Sequence, residues 1–212
     1  MVKTVAFMPI RLNSTRIPKK SILKIKGRPM FCWSLQTLDN LGIPVHVYSS
    51  NNRLLKSLVD FEIKNIIFTA RSQILDRDST KGLDIYKSFS AQVPAEQYLL
   101  AHCTSPFVKL SSYKKLIETL KIYDSAATTI KYQTFVWYKN TPLNFTIPRP
   151  QTQGMEPIFI ETSGAYAYKN HVLQHNSRSS LTKHKNIVVS TMESLDIDTP
   201  KDLEEVNDYI YK

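Results

Sequence analysis

Up to about residue 123, short unbroken apolar runs alternate with longer stretches of mixed character. The segments at 2–9, 45–49, 65–69 and 98–101 read as strands, the first of them buried. The stretch between the first two, 29–41, has helical spacing with a proline in its first turn and Gly42 as its stop. Asn51 or Asn52 can cap a helix reaching Phe61, and further helices are predicted over 80–91 and 110–123. The resulting βαβαβαβα order predicts an α/β fold with a mostly parallel, doubly wound sheet. Right-handed crossovers should gather the strand carboxyl ends on one edge.

Beyond Ser125 the pattern changes. Residues 126–132 and 135–137 read as strands, and 139–157 is rich in Pro, Asn, Thr and Gln with little periodicity. An irregular stretch of that length is expected to be a lid, a dimerisation arm or both, so 131–157 is assigned as an arm on a single domain spanning 1–212. Residues 158–168 form a strand interrupted at Ser163-Gly164, where a glycine marks a bulge or a close backbone approach. A short helix at 170–176, a strand at 187–190 and a last helix opened by Thr199-Pro200 complete the chain.

A hydrophobic share of 42% and a charged share of 22% are those of an ordinary globular protein, which excludes general disorder. No apolar run approaches the roughly 20 residues needed to cross a bilayer, and no secretory signal is visible, so a cytoplasmic protein is expected. Cys32 and Cys103 are too few for a disulfide framework and read as small core residues before nucleophiles. The formal net charge of +10 admits an anionic partner. The cations are scattered rather than set on one helix or interleaved with stacking aromatics, so neither nucleic acid nor a membrane surface is the expected partner.

The densest chemistry follows the first strand. Pro-Ile-Arg-Leu-Asn-Ser-Thr-Arg-Ile-Pro-Lys-Lys, residues 9–20, places Arg11, Arg16, Lys19 and Lys20 beside the hydroxyls of Ser14 and Thr15. Arginine forks and lysine point charges at a strand's carboxyl end suit a triphosphate, and the absence of a glycine fingerprint leaves the holding to side chains. The plain alternative is a solvated basic loop. A second constellation, Asp196-Ile197-Asp198-Thr199-Pro200, sets two carboxylates two residues apart, hence on one side of an extended segment. Hard oxygens suit Mg²⁺; the alternative is that Asp198 or Thr199 only caps the final helix. Asp76 and Asp78, flanking Arg77, read as a solvated loop or a ribose contact.

These segments, together with Thr104-Ser105-Pro106 after an apolar strand and Glu161-Thr162-Ser163-Gly164-Ala165-Tyr166, stand in the order found in sugar-activating cytidylyltransferases. The chain resembles acylneuraminate cytidylyltransferases, the CMP-sialic acid synthetases, over essentially its full length, and Ser14-Thr15-Arg16-Ile17-Pro18 is close to the CMP-Kdo synthetase loop. The resemblance implies a three-layer α/β/α nucleotidyltransferase of the glycosyltransferase-A type, acting as a homodimer. It would transfer CMP from CTP to an acidic sugar with release of pyrophosphate, serving surface-polysaccharide synthesis. It implies that Arg11, Lys20 and Asp198 are catalytic, that Asp196 and Asp198 hold Mg²⁺, and that Asn13, Ser14, Arg16, Ser21, Arg71 and Asp78 join Arg11 and Lys20 around the nucleotide. For the acceptor it implies His102, Thr104, Ser105, Arg149, Gln151, Glu161 and Gly164.

Three departures stand out. Ser21 replaces a common asparagine, and His102-Cys103 replaces Gln-Pro. Glu161 lies where an arginine can bind the sugar carboxylate. His102 reads equally as a sugar contact or a packed imidazole, and Glu161, if it faces the substrate, points to another nonulosonic acid or a different capsule precursor in place of sialic acid itself. A precursor outside the sialic acids and an idle nucleotide-binding module are the remaining alternatives.

Overall fold

The computed structural model describes residues 2–12, 14 and 17–210, with 55–57 and 208–210 described by backbone alone. Asn13, Thr15 and Arg16 lie outside the described residues, so the assignments of Asn13 and Arg16 to the nucleotide are not addressed by the structure.

Strand β1 (Val2–Pro9) lies at the centre of the molecule, and its alternation explains the layers. Ala6 and Met8, with Ile10 beyond them, point into a core shared with Phe31, Leu35 and Leu38 of helix α1 (Met30–Leu38) and with Tyr113 and Leu116 of α4 (Leu110–Thr119). Val5 and Phe7 point the other way, towards Tyr86 and Phe89 of α3 (Gly82–Gln92). There Phe7 and Phe89 stack 4.2 Å apart. A strand whose residues Val5 to Met8 alternate between two apolar cores must be covered twice, which makes the fold three-layered.

Around β1, in chain order, come the two-residue strands β2 (Lys24–Ile25) and β3 (Arg28–Pro29), then α1, β4 (Val45–Ser49), α2 (Leu54–Asp60), β5 (Ile66–Ala70), α3, β6 (Ala95–Ala101) and α4. The chain continues through β7 (Ser125–Tyr132), β8 (Trp137–Tyr138), β9 (Thr141–Pro142), β10 (Ile158–Lys169), β11 (His184–Val188) and α5 (Pro200–Ile210). The large sheet has the order β11-β7-β10-β6-β1-β4-β5. All its pairs are parallel except those of β10, which runs against both β6 and β7. The strand carboxyl ends therefore gather on one edge as expected, except that β10 brings its amino-terminal half there.

The chain leaves β1 for β4 and β5 on one side and returns to β6 on the other. The crevice between the ends of β1 and β6 is thus the point where the winding reverses, the usual ligand position in an open α/β sheet. β10 is irregular between Glu161 and Tyr166, with Ser163 at φ 60°. A Cβ on Gly164 would meet Val108 Cγ2 at 3.1 Å and Ser105 Cβ at 3.3 Å, so the glycine is needed for a close approach.

Several local expectations differ from the structure. β6 begins at Ala95, three residues early, because Ala95 is buried and its N–H is held by the Tyr98 hydroxyl at 2.9 Å. The strand expected at 135–137 is a β8–β9 hairpin, turned by Lys139 and Asn140 at positive φ. The expected 170–176 helix is a 3-10 segment, Asn170–His175, and the expected 187–190 strand is β11, shifted toward the amino terminus by pairing with Ser125–Thr129 of β7. α4 stops at Thr119, four residues early. Among the described residues, no helix is long and apolar enough to cross a membrane.

Candidate active site

At the crevice lies a cavity of about 330 Å³. Arg11, Ser14, Lys20 and Ser21 line one side of it; His102, Cys103, Thr104, Asp196 and Asp198 line the other. The basic loop and the paired carboxylates, 178 residues apart in sequence at their closest pair, meet there: Lys20 Nζ lies 2.5 Å from Asp198 Oδ1. Arg11 forms a looser, solvent-facing pair with Asp78 at 3.5 Å.

The loop is shaped by its own backbone. Lys19 adopts a left-handed conformation and leads into a single 3-10 turn, Lys20–Ile22. Ser21 is buried and its Oγ donates to the Arg11 carbonyl at 3.1 Å, cinching the loop closed, while Cys103 Sγ donates to Ser21 Oγ at 3.6 Å. Ser21 therefore has a structural task at the cavity wall. Burial pushes the Cys103 thiol above its ordinary pKa, so it is a wall residue and not a thiolate.

The acidic segment is held by the residue between its carboxylates. Ile197 is fully buried with Ile25, Met30 and Val206, and its N–H donates to the Thr104 carbonyl at 2.8 Å. With Ile197 anchored inward, Asp196 and Asp198 both face the cavity. Helix capping falls to Thr199, one of the two expected candidates, together with Asp202: Asp202 Oδ2 accepts from the N–H groups of Asp198 and Thr199 at 2.9 and 2.7 Å, and Asp202 N–H donates to Thr199 Oγ1 at 3.3 Å. This reciprocal Thr199–Asp202 box caps α5 with side chains other than Asp196 and Asp198, so capping alone does not explain the acidic pair.

Burial raises the pKa of Asp196, offset in part by a hydrogen bond from Thr104, and the Asp198 charge raises it further. Asp196 Oδ1 is buried without a protein partner. A buried, unpaired carboxylate oxygen is costly unless a cation meets it. Two carboxylates with an orphaned oxygen fit a Mg²⁺ ion, which takes few protein ligands and fills its shell with water and phosphate. Among the described residues, no cluster of three or more His, Cys, Asp or Glu side chains offers an alternative metal cage.

The remaining sequence assignments distribute unevenly. Arg71 is buried, donating Nη2 to the Ile10 carbonyl at 3.2 Å and pairing with Asp76, which also accepts from Ser50. Arg71 and Asp76 together tie the ends of β1 and β4 to the 73–76 turn, outside the cavity lining. Ser105 is buried behind the wall and Thr104 forms part of it. Gly164 accepts at its carbonyl from His102 N–H at 3.0 Å. Arg149 lies in the arm, stacked over Phe135 and Phe145 with its guanidinium 5.3 and 5.5 Å from the ring centres. Gln151 is also in the arm and exposed, and neither residue is brought to the cavity.

His102 resolves into a wall group of fixed tautomer. Its Nδ1 donates to the Ser163 carbonyl at 2.6 Å, a carbonyl aimed by the strained φ at Ser163, and its Nε2 therefore accepts from the Tyr86 hydroxyl at 3.2 Å. Burial drives its pKa down to about 4, outweighing the pull of the Ser163 carbonyl, so the ring is neutral at physiological pH.

Beyond His102 lies a group that sequence reasoning did not find. Arg178 stacks 3.9 Å above the Tyr166 ring, donates Nη2 to the Tyr166 hydroxyl at 2.8 Å, and approaches Glu161 Oε2 at 3.6 Å. Tyr166 in turn donates to Glu161 Oε2 at 2.8 Å. Arg178 sits in a polar, aperiodic stretch, and no motif marks it.

The profile of the cytidylyltransferase family matches residues 5–210, and the chain belongs to that family. Its fold is similar to a CMP:2-keto-3-deoxy-manno-octonic acid synthetase solved with CTP, at 20% identity and TM-score 0.68, covering 99% of this chain and 98% of that one. It is similar also to a 4-diphosphocytidyl-2C-methyl-D-erythritol synthase from Anaerococcus prevotii, at 14% identity and TM-score 0.70, covering 100% and 97%. The bifunctional IspDF of Campylobacter jejuni matches at 16% identity and TM-score 0.67, over 97% of this chain and 54% of that one. No curated protein sequence matches.

Proposed function

We propose that this cytidylyltransferase transfers CMP from CTP to an acidic sugar of the sialic-acid or wider nonulosonic-acid class, with Mg²⁺ held by Asp196 and Asp198. The observation that carries the proposal is the meeting of Lys20 and Asp198 at 2.5 Å beside the orphaned Asp196 oxygen, at the sheet's switch point. Cations for a triphosphate and hard oxygens for its metal converge on one cavity, as displacement at an α-phosphate requires. Relatives with this fold act on different acceptors with cytidine nucleotides, so the fold leaves the acceptor to the side chains beyond the cavity.

In the reaction, a sugar hydroxyl oxygen forms a bond to the α-phosphorus, the bond from that phosphorus to the bridging α–β oxygen breaks, and pyrophosphate leaves with the electron pair. The hydroxyl proton departs to solvent. Arg11 and Lys20 stabilise charge on the triphosphate and on departing pyrophosphate, Lys20 turning from Asp198 to phosphate as CTP enters. Asp196 and Asp198 would hold Mg²⁺, which would supply charge neutralisation at the α-phosphate and lower the pKa of the attacking hydroxyl. His102, neutral and pinned at both nitrogens, offers a polar wall without adding charge. The arm is proposed to pair with a second copy, because it exposes Trp137, Tyr138, Leu143 and Ile147 on one small excursion.

The test is pyrophosphate release, crossing the four common nucleoside triphosphates with N-acetylneuraminate, 3-deoxy-manno-octulosonate and related sugar acids. Release with CTP and at least one acid is expected, with loss of about 100-fold or more in Asp198→Asn and Lys20→Ala. Retained turnover in both variants would remove the assigned roles. Light scattering of the purified chain tests the dimer.

A further inference from the structure

We infer that Arg178 is the residue that recognises the acceptor's carboxylate. This rests on the proposed acidic-sugar reading and names the part of the site that makes the substrate acidic.

The cavity's charges are already committed. Among the described residues, Arg11 and Lys20 are the cations that line it, and both face the triphosphate region, paired with Asp78 and Asp198. His102 is neutral and cannot serve. A sugar acid must bind beside the triphosphate, and a cavity of about 330 Å³ is small for both together. On the His102 side, the polar groups run in an unbroken chain: His102 accepts from Tyr86, Arg178 sits against Tyr86 and Tyr166, and Tyr166 donates to Glu161. Glu161, at the far end of this row, lies in the amino-terminal half of β10, which antiparallel pairing delivers to the active edge.

Arg178 has the properties of a recognition group. Its guanidinium is stacked on an aromatic face, which holds the planar fork in a fixed orientation at low entropic cost. Its contact with Glu161, at 3.6 Å, is an ion pair longer than a hydrogen bond, so Glu161 does not saturate the fork. About a third of the side chain remains exposed to solvent. Glu161 then has two tasks: it fixes Tyr166 and Arg178, and it presents an acceptor to sugar hydroxyl or acylamino donors. The combination selects a ligand bearing a carboxylate next to hydrogen-bond donors, which is the pattern of a 2-keto-3-deoxy sugar acid.

The test is steady-state kinetics of Arg178→Gln and Arg178→Lys with CTP and whichever of N-acetylneuraminate or 3-deoxy-manno-octulosonate the native enzyme uses, alongside its methyl ester. For Arg178→Gln, KM for the acid is expected to rise about tenfold or more while KM for CTP stays within about twofold. Arg178→Lys should fall between. With the methyl ester, Arg178→Gln and the native enzyme should perform alike, because the charge being read is gone. A shift of less than about threefold for the acid, or an equal loss for acid and ester, would overturn the assignment while leaving the acidic-sugar reading intact. A native enzyme that turns over no acid with CTP would overturn both. Melting temperature and CTP affinity, measured on each variant, separate a folding defect from lost recognition, and Arg178→Lys, which keeps the charge, carries the test if the glutamine variant does not fold.

Discussion

Replacing Arg71 by methionine should destabilise the whole domain, and the size of the effect follows from what the guanidinium touches. Its side chain is 1% exposed and that of Asp76 17%, so solvent screening is slight. Nη2 donates to the Ile10 carbonyl at 3.2 Å and pairs with Asp76; Nη1 reaches the Tyr48 carbonyl at 3.5 Å, at the weak limit. A charged hydrogen bond contributes about 1.5–3 kcal/mol, and removing one partner of a buried pair costs about 3–5 kcal/mol. Ser50 still donates to Asp76 and keeps that carboxylate from being stranded, which favours the lower end, about 3 kcal/mol. For a chain of this size that is roughly 6–12 °C in Tm. Urea unfolding followed by far-UV circular dichroism measures it. A loss below about 1 kcal/mol would refute the reasoning. Loss of CTP binding in a variant of unchanged stability would instead make Arg71 a nucleotide contact.

Two further outcomes follow from the same geometry. Gly164→Ala should cost about 1–3 kcal/mol, because its Cβ would press on Val108 and Ser105, and it should lower turnover by displacing the Ser163 carbonyl that holds His102; unchanged unfolding midpoint and activity would count against the close approach. His102 is buried neutral with a pKa of about 4 against an ordinary 6.5, so the unfolded chain binds the proton more readily between those values. Stability contributed there is full above pH 6.5 and is lost as pH falls towards 4, by about 3 kcal/mol at most, and His102→Gln should flatten that part of a denaturation profile; an equal slope in both proteins would sink the assignment.

The sheet was legible because its strands obey one rule. β1 is apolar without a break from Val5 to Met8, and only strands buried on both faces need that. The parts that escaped the sequence are those fixed by pairing. β11 is shifted by its register with β7, and β6 is extended by a Tyr98 hydroxyl reaching its own strand's first N–H. The active site shows the same division. Asp196 and Asp198 could be read as a pair because two-residue spacing places them on one side, and buried Ile197 makes that reading physical. Arg178 could not be read, because its partners, Tyr86, Tyr166 and Glu161, come from two other elements and no local pattern links them.

The pairing of the cavity's charges has a consequence for how its ligands enter. Lys20 neutralises Asp198 at 2.5 Å, and Arg11 leans on Asp78. A triphosphate that draws Lys20 away leaves Asp198 partly buried beside new negative charge, which is costly. A divalent cation that takes Asp198 leaves Lys20 without its carboxylate, which is costly in the same way. Each ligand compensates the loss that the other causes, so CTP and Mg²⁺ should bind with positive linkage, and thermodynamic reciprocity requires the same factor in both directions. Titration calorimetry should find CTP binding strengthened about tenfold or more by Mg²⁺ beyond the effect seen with Asp198→Asn, in which the exchange is abolished. Equal enhancement in the native enzyme and the variant would mean that Mg²⁺ acts only on the nucleotide, and that the Lys20–Asp198 pair does not couple the two sites.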